Sequence, residues 1–388
     1  MNKQSNKSSI WTKSFINIAV SNFFIFVVFY ALLTLMPMYA LDLPGGTVSK
    51  AGLVTTIFLL SVILVRPFSG LILEKFGRKR MLGLSMLAFA VSTFSYVLTE
   101  DIKLLLILRF IHGVSFSIAT TVTLSIAADI VPPERRGEGL GYFGMSMNLA
   151  VVVGPFIALT LQPLISYHSI FLIFGVIMII GWLCGVFVKD TLQAIQPSAK
   201  RKLSWSDLFE RKALAISSVG IFVSFAYASI MSFISLYAQS IGLIETASYF
   251  FLVFAAAMLI SRPITGRLFD TMGPNIIIIP SILIFAAGLF VLSLASSAWM
   301  LLLAGALIGL GYGTLLPSFQ TLAIQASPNR RSAYATATFF TLFDTGIAVG
   351  SFVLGIAVAY MGYANLYMAL GGFVVLIVFY YKWIMKEK

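Results

Sequence analysis

Long apolar runs separated by short polar breaks recur along the whole chain. Twelve runs are long enough to cross a bilayer as helices, which takes about 20 mostly apolar residues. They span roughly 14–40, 49–73, 81–99, 103–128, 139–162, 168–188, 213–239, 246–269, 275–296, 299–324, 333–358 and 364–385. The first run follows a polar start and is too long for a signal-peptide core, so it reads as a retained span. One break is longer than the rest. Residues 189–212 carry Pro197 and the basic run Lys200-Arg201-Lys202. There, Ser204 and Asp207 have capping-box spacing, and Trp205, Leu208 and Phe209 would face headgroups as a short interfacial helix. A solvated linker is the alternative.

Composition closes off other classes. Of 388 residues, 59% are apolar and only 10% charged, too few to dress a soluble surface or to keep a chain disordered. One cysteine, Cys184, excludes a disulfide framework or a cysteine zinc site. Two histidines, His112 and His168, leave little for a metal. No metal, cofactor or nucleic acid is expected. The net charge of +12 is a matter of placement. With the N-terminus inside, 21 of the 26 basic residues fall in inner segments, including Lys75, Arg78, Lys79, Arg80, Arg135, Arg136, Arg330 and Arg331. Only Lys50 and Lys103 fall outside. The positive-inside bias therefore predicts a multi-pass protein of the cell (plasma) membrane with both termini cytoplasmic.

The chain repeats itself at half its length. Arg66-Pro67-Phe68-Ser69-Gly70 returns 196 positions later as Arg262-Pro263-Ile264-Thr265-Gly266; Glu74 returns as Asp270 and Gly77 as Gly273. At offset 195, Pro133-Glu134-Arg135-Arg136 returns as Pro328-Asn329-Arg330-Arg331. This predicts two six-helix halves, 1–188 and 213–388, joined by 189–212. Such repeats mark transporters, with the substrate site between the halves.

The segment Gly70-Leu71-Ile72-Leu73-Glu74-Lys75-Phe76-Gly77-Arg78-Lys79-Arg80 resembles the loop 2–3 motif of the major facilitator superfamily. Arg109-Phe110-Ile111-His112-Gly113 resembles a span 4 motif of that family, with His112 where Gln is usual. Span 5 resembles the glycine-rich motif of its drug/proton antiporters through Gly141, Gly154 and Pro155, although Ala150 and Ala158 stand where Gly is usual. The resemblance implies an all-α membrane protein with twelve transmembrane helices in two pseudo-symmetric halves, working as a monomer. It implies that Gly70, Glu74, Gly77, Arg78 and Asp129 form a conformational latch. Glu74 would face the N-terminal end of span 11, favoured there by the helix dipole, and Arg78 would pair with Asp129.

Asp344 is the one acid of 14 placed well inside a run, about 17 Å deep at 1.5 Å per residue. An ionised carboxylate there costs at least ~2.5 kcal/mol, so a cavity-facing role in exchanging a proton or meeting a cation is expected. A capped structural acid is the alternative. Arg109 reads as the only base well inside a span, because Arg66 and Arg262 sit beside prolines toward inner helix ends. A buried guanidinium stays charged and needs a partner: Asp344, a substrate anion or backbone carbonyls. His112 shares a helix face with Arg109 and joins it as a proton-coupling candidate, against a hydrogen-bonded packing role. Gly141, Gly154 and Pro155 read as packing and hinge points. Tyr30, Asn148, Tyr227 and Gln320 are polar or amphipathic residues in apolar runs, and candidates for the substrate cavity.

Together these features predict a secondary active transporter that exchanges protons for small organic or lipophilic compounds by alternating access. Proton-coupled uptake, or sugar or metabolite export, is the alternative. There is no Walker Gly-x-x-x-x-Gly-Lys-Ser/Thr loop, and no converging acid, base and nucleophile for an enzyme.

Overall fold

A computed structural model describes residues 9–45, 48–189, 208–328 and 331–386. The expected linker features at Ser204, Trp205 and Asp207 lie outside the described residues. Among the described residues the chain is all-helical, and eleven helices are long and apolar enough to cross a membrane. They are α1 (Lys13–Asp42), α2 (Val48–Phe76), α3 (Arg78–Ser95), α4 (Ile102–Ile130), α5 (Arg136–Leu161) and α6 (Tyr167–Val186). Then follow α7 (Arg211–Ser240), α8 (Ile244–Met272), α9 (Asn275–Ser293), α10 (Ala298–Ala326) and α11 (Ser332–Lys386). Most boundaries lie within a few residues of those read from hydropathy. The 55-residue α11 is interrupted at Gly362, where φ is 74° and ψ is 169°. No continuous helix holds that conformation, and glycine adopts it without steric cost.

Helix starts follow local chemistry. The Thr12 hydroxyl accepts from the Phe15 amide at 3.1 Å, and Ser297 accepts from Met300 at 3.4 Å. Helix α3 begins after Gly77, whose φ of 84° makes the tight corner out of α2. Prolines 37, 67, 155, 263, 280 and 317 lie within helices without ending them. Membrane helices tolerate this because neighbours re-satisfy the freed carbonyls.

The first six helices pack chiefly on one another, as do the remaining five. Between the sets, α5 lies against α8 and α10, while α2 and α4 lie against α11. Large apolar side chains cover the outside: Phe156 (69% exposed), Ile260 (70%) and Phe352 (71%) are typical. A surface of that kind belongs in lipid rather than water.

Candidate functional site

Asp344 lies twelve residues into α11, about 18 Å from its start. Its Oδ2 is 2.6 Å from Nε of Arg66, which is almost fully buried. Arg66 also lies 4.4 Å over the Phe340 ring and reaches Thr120 Oγ1 at 3.4 Å. This pair corrects the reading of Arg66 and Arg262 as helix-end residues. Each lies ten residues inside its helix, about 15 Å from the end, because the helix runs on past Pro67 or Pro263. Breaking such a pair from one side typically costs 3–5 kcal/mol, because the other charge stays buried. The ion pair therefore ties α2 to α11 while both groups are charged. Tyr30 and Tyr312 lie in electrostatic reach of Asp344. Tyr227 stacks on Tyr312 with centroids 3.6 Å apart.

Of the three expected coupling residues, Arg109 and His112 lie in electrostatic reach of each other, while Asp344 pairs with Arg66 instead. Arg109 Nε donates to the Val54 carbonyl at 3.2 Å, and its guanidinium lies 4.3 Å over the Phe58 ring. Of the partners open to it, the backbone carbonyl is the one found. His112 is 1% exposed; Nδ1 is 2.8 Å from the Tyr96 hydroxyl, and its ring centroid is 4.0 Å from that of Phe89. These contacts hold α4 to α2 and to the end of α3.

One end of the bundle carries two clasps between the helix sets. In the first, Tyr334 of α11 donates its hydroxyl to Glu74, and Ser332 donates to Asp129 at 2.8 Å. Arg78 pairs with Asp129, but both belong to the first six helices, so Ser332 makes the crossing bond. Glu74 does face the first turn of α11, through a hydroxyl. Gly70 eases the approach: a Cβ there would lie 2.6 Å from the Tyr334 ring, which would have to turn. In the second clasp, Asp270 of α8 accepts from the backbone amides of Gly137 and Glu138, both at 2.8 Å, at the start of α5. Arg267 reaches Glu138 at 3.1 Å, and Arg135 holds the same carboxylate through two nitrogens. Of the span 5 candidates, Gly154 lets α5 meet α1, since a Cβ there would be 2.7 Å from the Val27 carbonyl. Gly141 faces the Arg262 carbonyl with room to spare, and Pro155 does not interrupt α5.

Between the sets lies a small cavity of about 20 Å³, closed down in this conformation to little more than one water. Asn22, Thr120, Gly144, Arg262, Gln320 and Phe340 line it with several apolar side chains. Gln320 thus lies where a cavity residue was expected. Asn148 is 1% exposed, with neither amide atom bonded among the described residues. Sequence reasoning missed Arg66, Arg262, Ser332, Tyr334 and Glu138. The repeat itself was the available signal for Arg262, since it returns the Arg-Pro of α2 at the same depth.

A charged pair buried at mid-helix beside a cavity, inside an all-helical bundle with an apolar exterior, is an arrangement suited to a membrane transporter. The chain belongs to the Major Facilitator Superfamily, whose model matches residues 18–279 and again 244–388. It is 25% identical to the multi-drug resistance efflux pump PmrA of Streptococcus pneumoniae, over 86% of both chains. It is 27% identical to the quinolone resistance protein NorA of Staphylococcus aureus, over 48% of this chain and 51% of that one. Its fold superposes on the human organic anion transporter MFSD10 (TETRAN) with a TM-score of 0.82 at 15% identity, covering 95% of this chain and 99% of that one.

Proposed function

We propose that the chain is a proton-coupled exporter of small organic or lipophilic compounds, exchanging them for protons by alternating access. In this reading two six-helix halves, 1–188 and 213–388, rock about the cavity, and α11 supplies two of twelve crossings because it reverses at Gly362. The clasped end, rich in Lys and Arg, is cytoplasmic in the plasma membrane, with both termini there and one chain as the working unit. The observation that carries the reading is the Arg66–Asp344 pair, which joins a helix of each half beside the cavity.

A proton taken up by Asp344 cancels the attraction to Arg66 and loosens α2 from α11. Loss of the proton restores it. A proton thereby biases one conformation over the other, as a coupling ion must. A cationic group on the cargo competes for the same carboxylate, so proton and cargo occupy Asp344 in turn. Arg109 and His112 hold the first half together in this scheme. The relation to an efflux pump along most of both chains supports the outward direction.

The test uses inverted vesicles with an acid interior and a pH probe. Adding transported compound should dissipate the gradient, and Asp344→Asn should abolish that response. Because Asp344→Asn strands Arg66, the double variant Arg66→Gln with Asp344→Asn controls for folding: it should insert and fold without moving protons. Undiminished proton movement in either variant would sink the coupling role.

A further inference from the structure

Arg66 and Arg262 occupy equivalent positions 196 residues apart, yet their surroundings differ in charge. Arg66 has Asp344. The same offset carries Asp344 back onto Asn148. An amide therefore stands where the second arginine would have had its acid. Arg262 is 2% exposed, and none of its three guanidinium nitrogens has a hydrogen-bond partner among the described residues. Its guanidinium lies against Gly144, with a Cβ built there 3.7 Å from the nearest nitrogen. Asn148 lies one helical turn further along the same face of α5, and both its amide atoms are also unbonded.

A buried guanidinium cannot shed its charge, and leaving it unpaired is costly. Here it lines the small cavity together with Phe340, Phe26, Phe143 and Met147, and cargo enters once the helix sets part. We propose that Arg262 is the point at which the transported compound docks an anionic group, a carboxylate, sulfonate or phosphate, with Gln320 beside it and the apolar part of the cargo against these aromatic walls. This rests on the transporter reading above and deepens it. The signs then restrict the cargo further. An anion at Arg262 and a carboxylate at Asp344 repel, so a simple anion binds better when Asp344 is protonated and travels with the proton. A compound exchanged against protons must instead bring a cation to Asp344 as well. The cargo of an antiporter with this cavity is an amphipathic zwitterion.

The test uses a matched set of small aryl compounds on purified protein in nanodiscs: 2-amino-4-phenylbutyrate, 4-phenylbutyrate, 4-phenylbutylamine and 4-phenylbutanamide. The wild type should bind the zwitterion at least ten-fold more tightly than the amine or the amide. Arg262→Gln should lose that factor for the two carboxylates and leave the amine and amide unchanged; Arg262→Lys should retain part of it. Asn148→Asp, which restores the missing acid while keeping Arg262, should also lose carboxylate binding, and it serves if Arg262→Gln fails to fold. Chloride, varied against gluconate, should compete weakly; competition at equal strength would replace the cargo's own group by an inorganic anion and overturn the cargo assignment. Carboxylate binding unchanged in Arg262→Gln and Asn148→Asp would overturn the site. If the site holds but the zwitterion moves together with protons rather than against them, the antiport reading falls and Arg262 stands.

Discussion

The two clasps descend from one repeated motif and hold the same end of the bundle, yet they are built from different bonds. At the first, the acid Glu74 receives one side-chain hydroxyl, from Tyr334, and Asp129 receives another, from Ser332. At the second, the equivalent acid Asp270 receives two backbone amides at the buried start of a helix. Backbone donors at a helix N-terminus bring the helix dipole with them, and no substitution of the donor residue other than proline deletes them. Glu138 stands at the repeat position of Tyr334, so the residue that donates at one clasp is turned at the other into an acceptor for Arg135 and Arg267. Acid and glycine recur in both clasps, while the donor differs. A transporter that must close and reopen this end therefore has one firm contact and one that side-chain chemistry can adjust.

The comparison breaks most sharply at Asp270. Hydrogen bonds to a charged group contribute about 1.5–3 kcal/mol each, so Asp270→Ala should shift the closed-to-open ratio of this end by about 100-fold. Spin-label distances between the start of α5 and the end of α8 would measure it, and a shift below ten-fold would make the clasps equivalent. The two glycines come next. A Cβ at Gly266 would lie 2.9 Å from the Glu138 Cα, which cannot step aside, whereas one at Gly70 meets the Tyr334 ring, which can turn. Overpacking of this kind costs about 1–3 kcal/mol. Gly266→Ala should therefore open the end about ten-fold or more, and Gly70→Ala a few-fold, by the same distances.

Much of this was legible in the sequence, and the remainder has physical causes. Hydropathy placed the helices because lipid demands long apolar runs. Asp344 announced itself because a lone acid in such a run is costly. The Glu74, Arg78 and Asp129 cluster was legible through the resemblance of the 70–80 segment to the loop motif of the family. The depth of Arg66 and Arg262 was underread: the runs already passed Pro67 and Pro263, but each helix extends three residues beyond its run, to Phe76 and Met272. Nor could Tyr334 and Ser332 be read as donors, since nothing along the chain brings residues some 200 or more positions apart into contact. The backbone amides that Asp270 captures have no side-chain signature at all.

Tyr334→Phe sharpens the comparison from the softer side. It removes one donor from Glu74, which is only half-buried and regains water. The loss should be about 1 kcal/mol, or roughly five-fold in the same distance measurement, well short of Asp270→Ala.

Arg267→Gln should have the smallest effect, and it separates what holds the second clasp from what decorates it. The Arg267 side chain is 66% exposed, and an ion pair in that setting is screened by water and salt. Glu138 does not depend on it, because Arg135 keeps both its nitrogens on the other carboxylate oxygen at 2.8 and 2.9 Å. The Asp270 bonds to the start of α5 are backbone bonds and do not involve Arg267 at all. The closed-to-open ratio should therefore change by less than two-fold at physiological salt, with the residual effect vanishing as salt is raised. A large, salt-sensitive opening would mean that charge across the rim closes this end, and the backbone amides of Gly137 and Glu138 would lose their place as the firm contact.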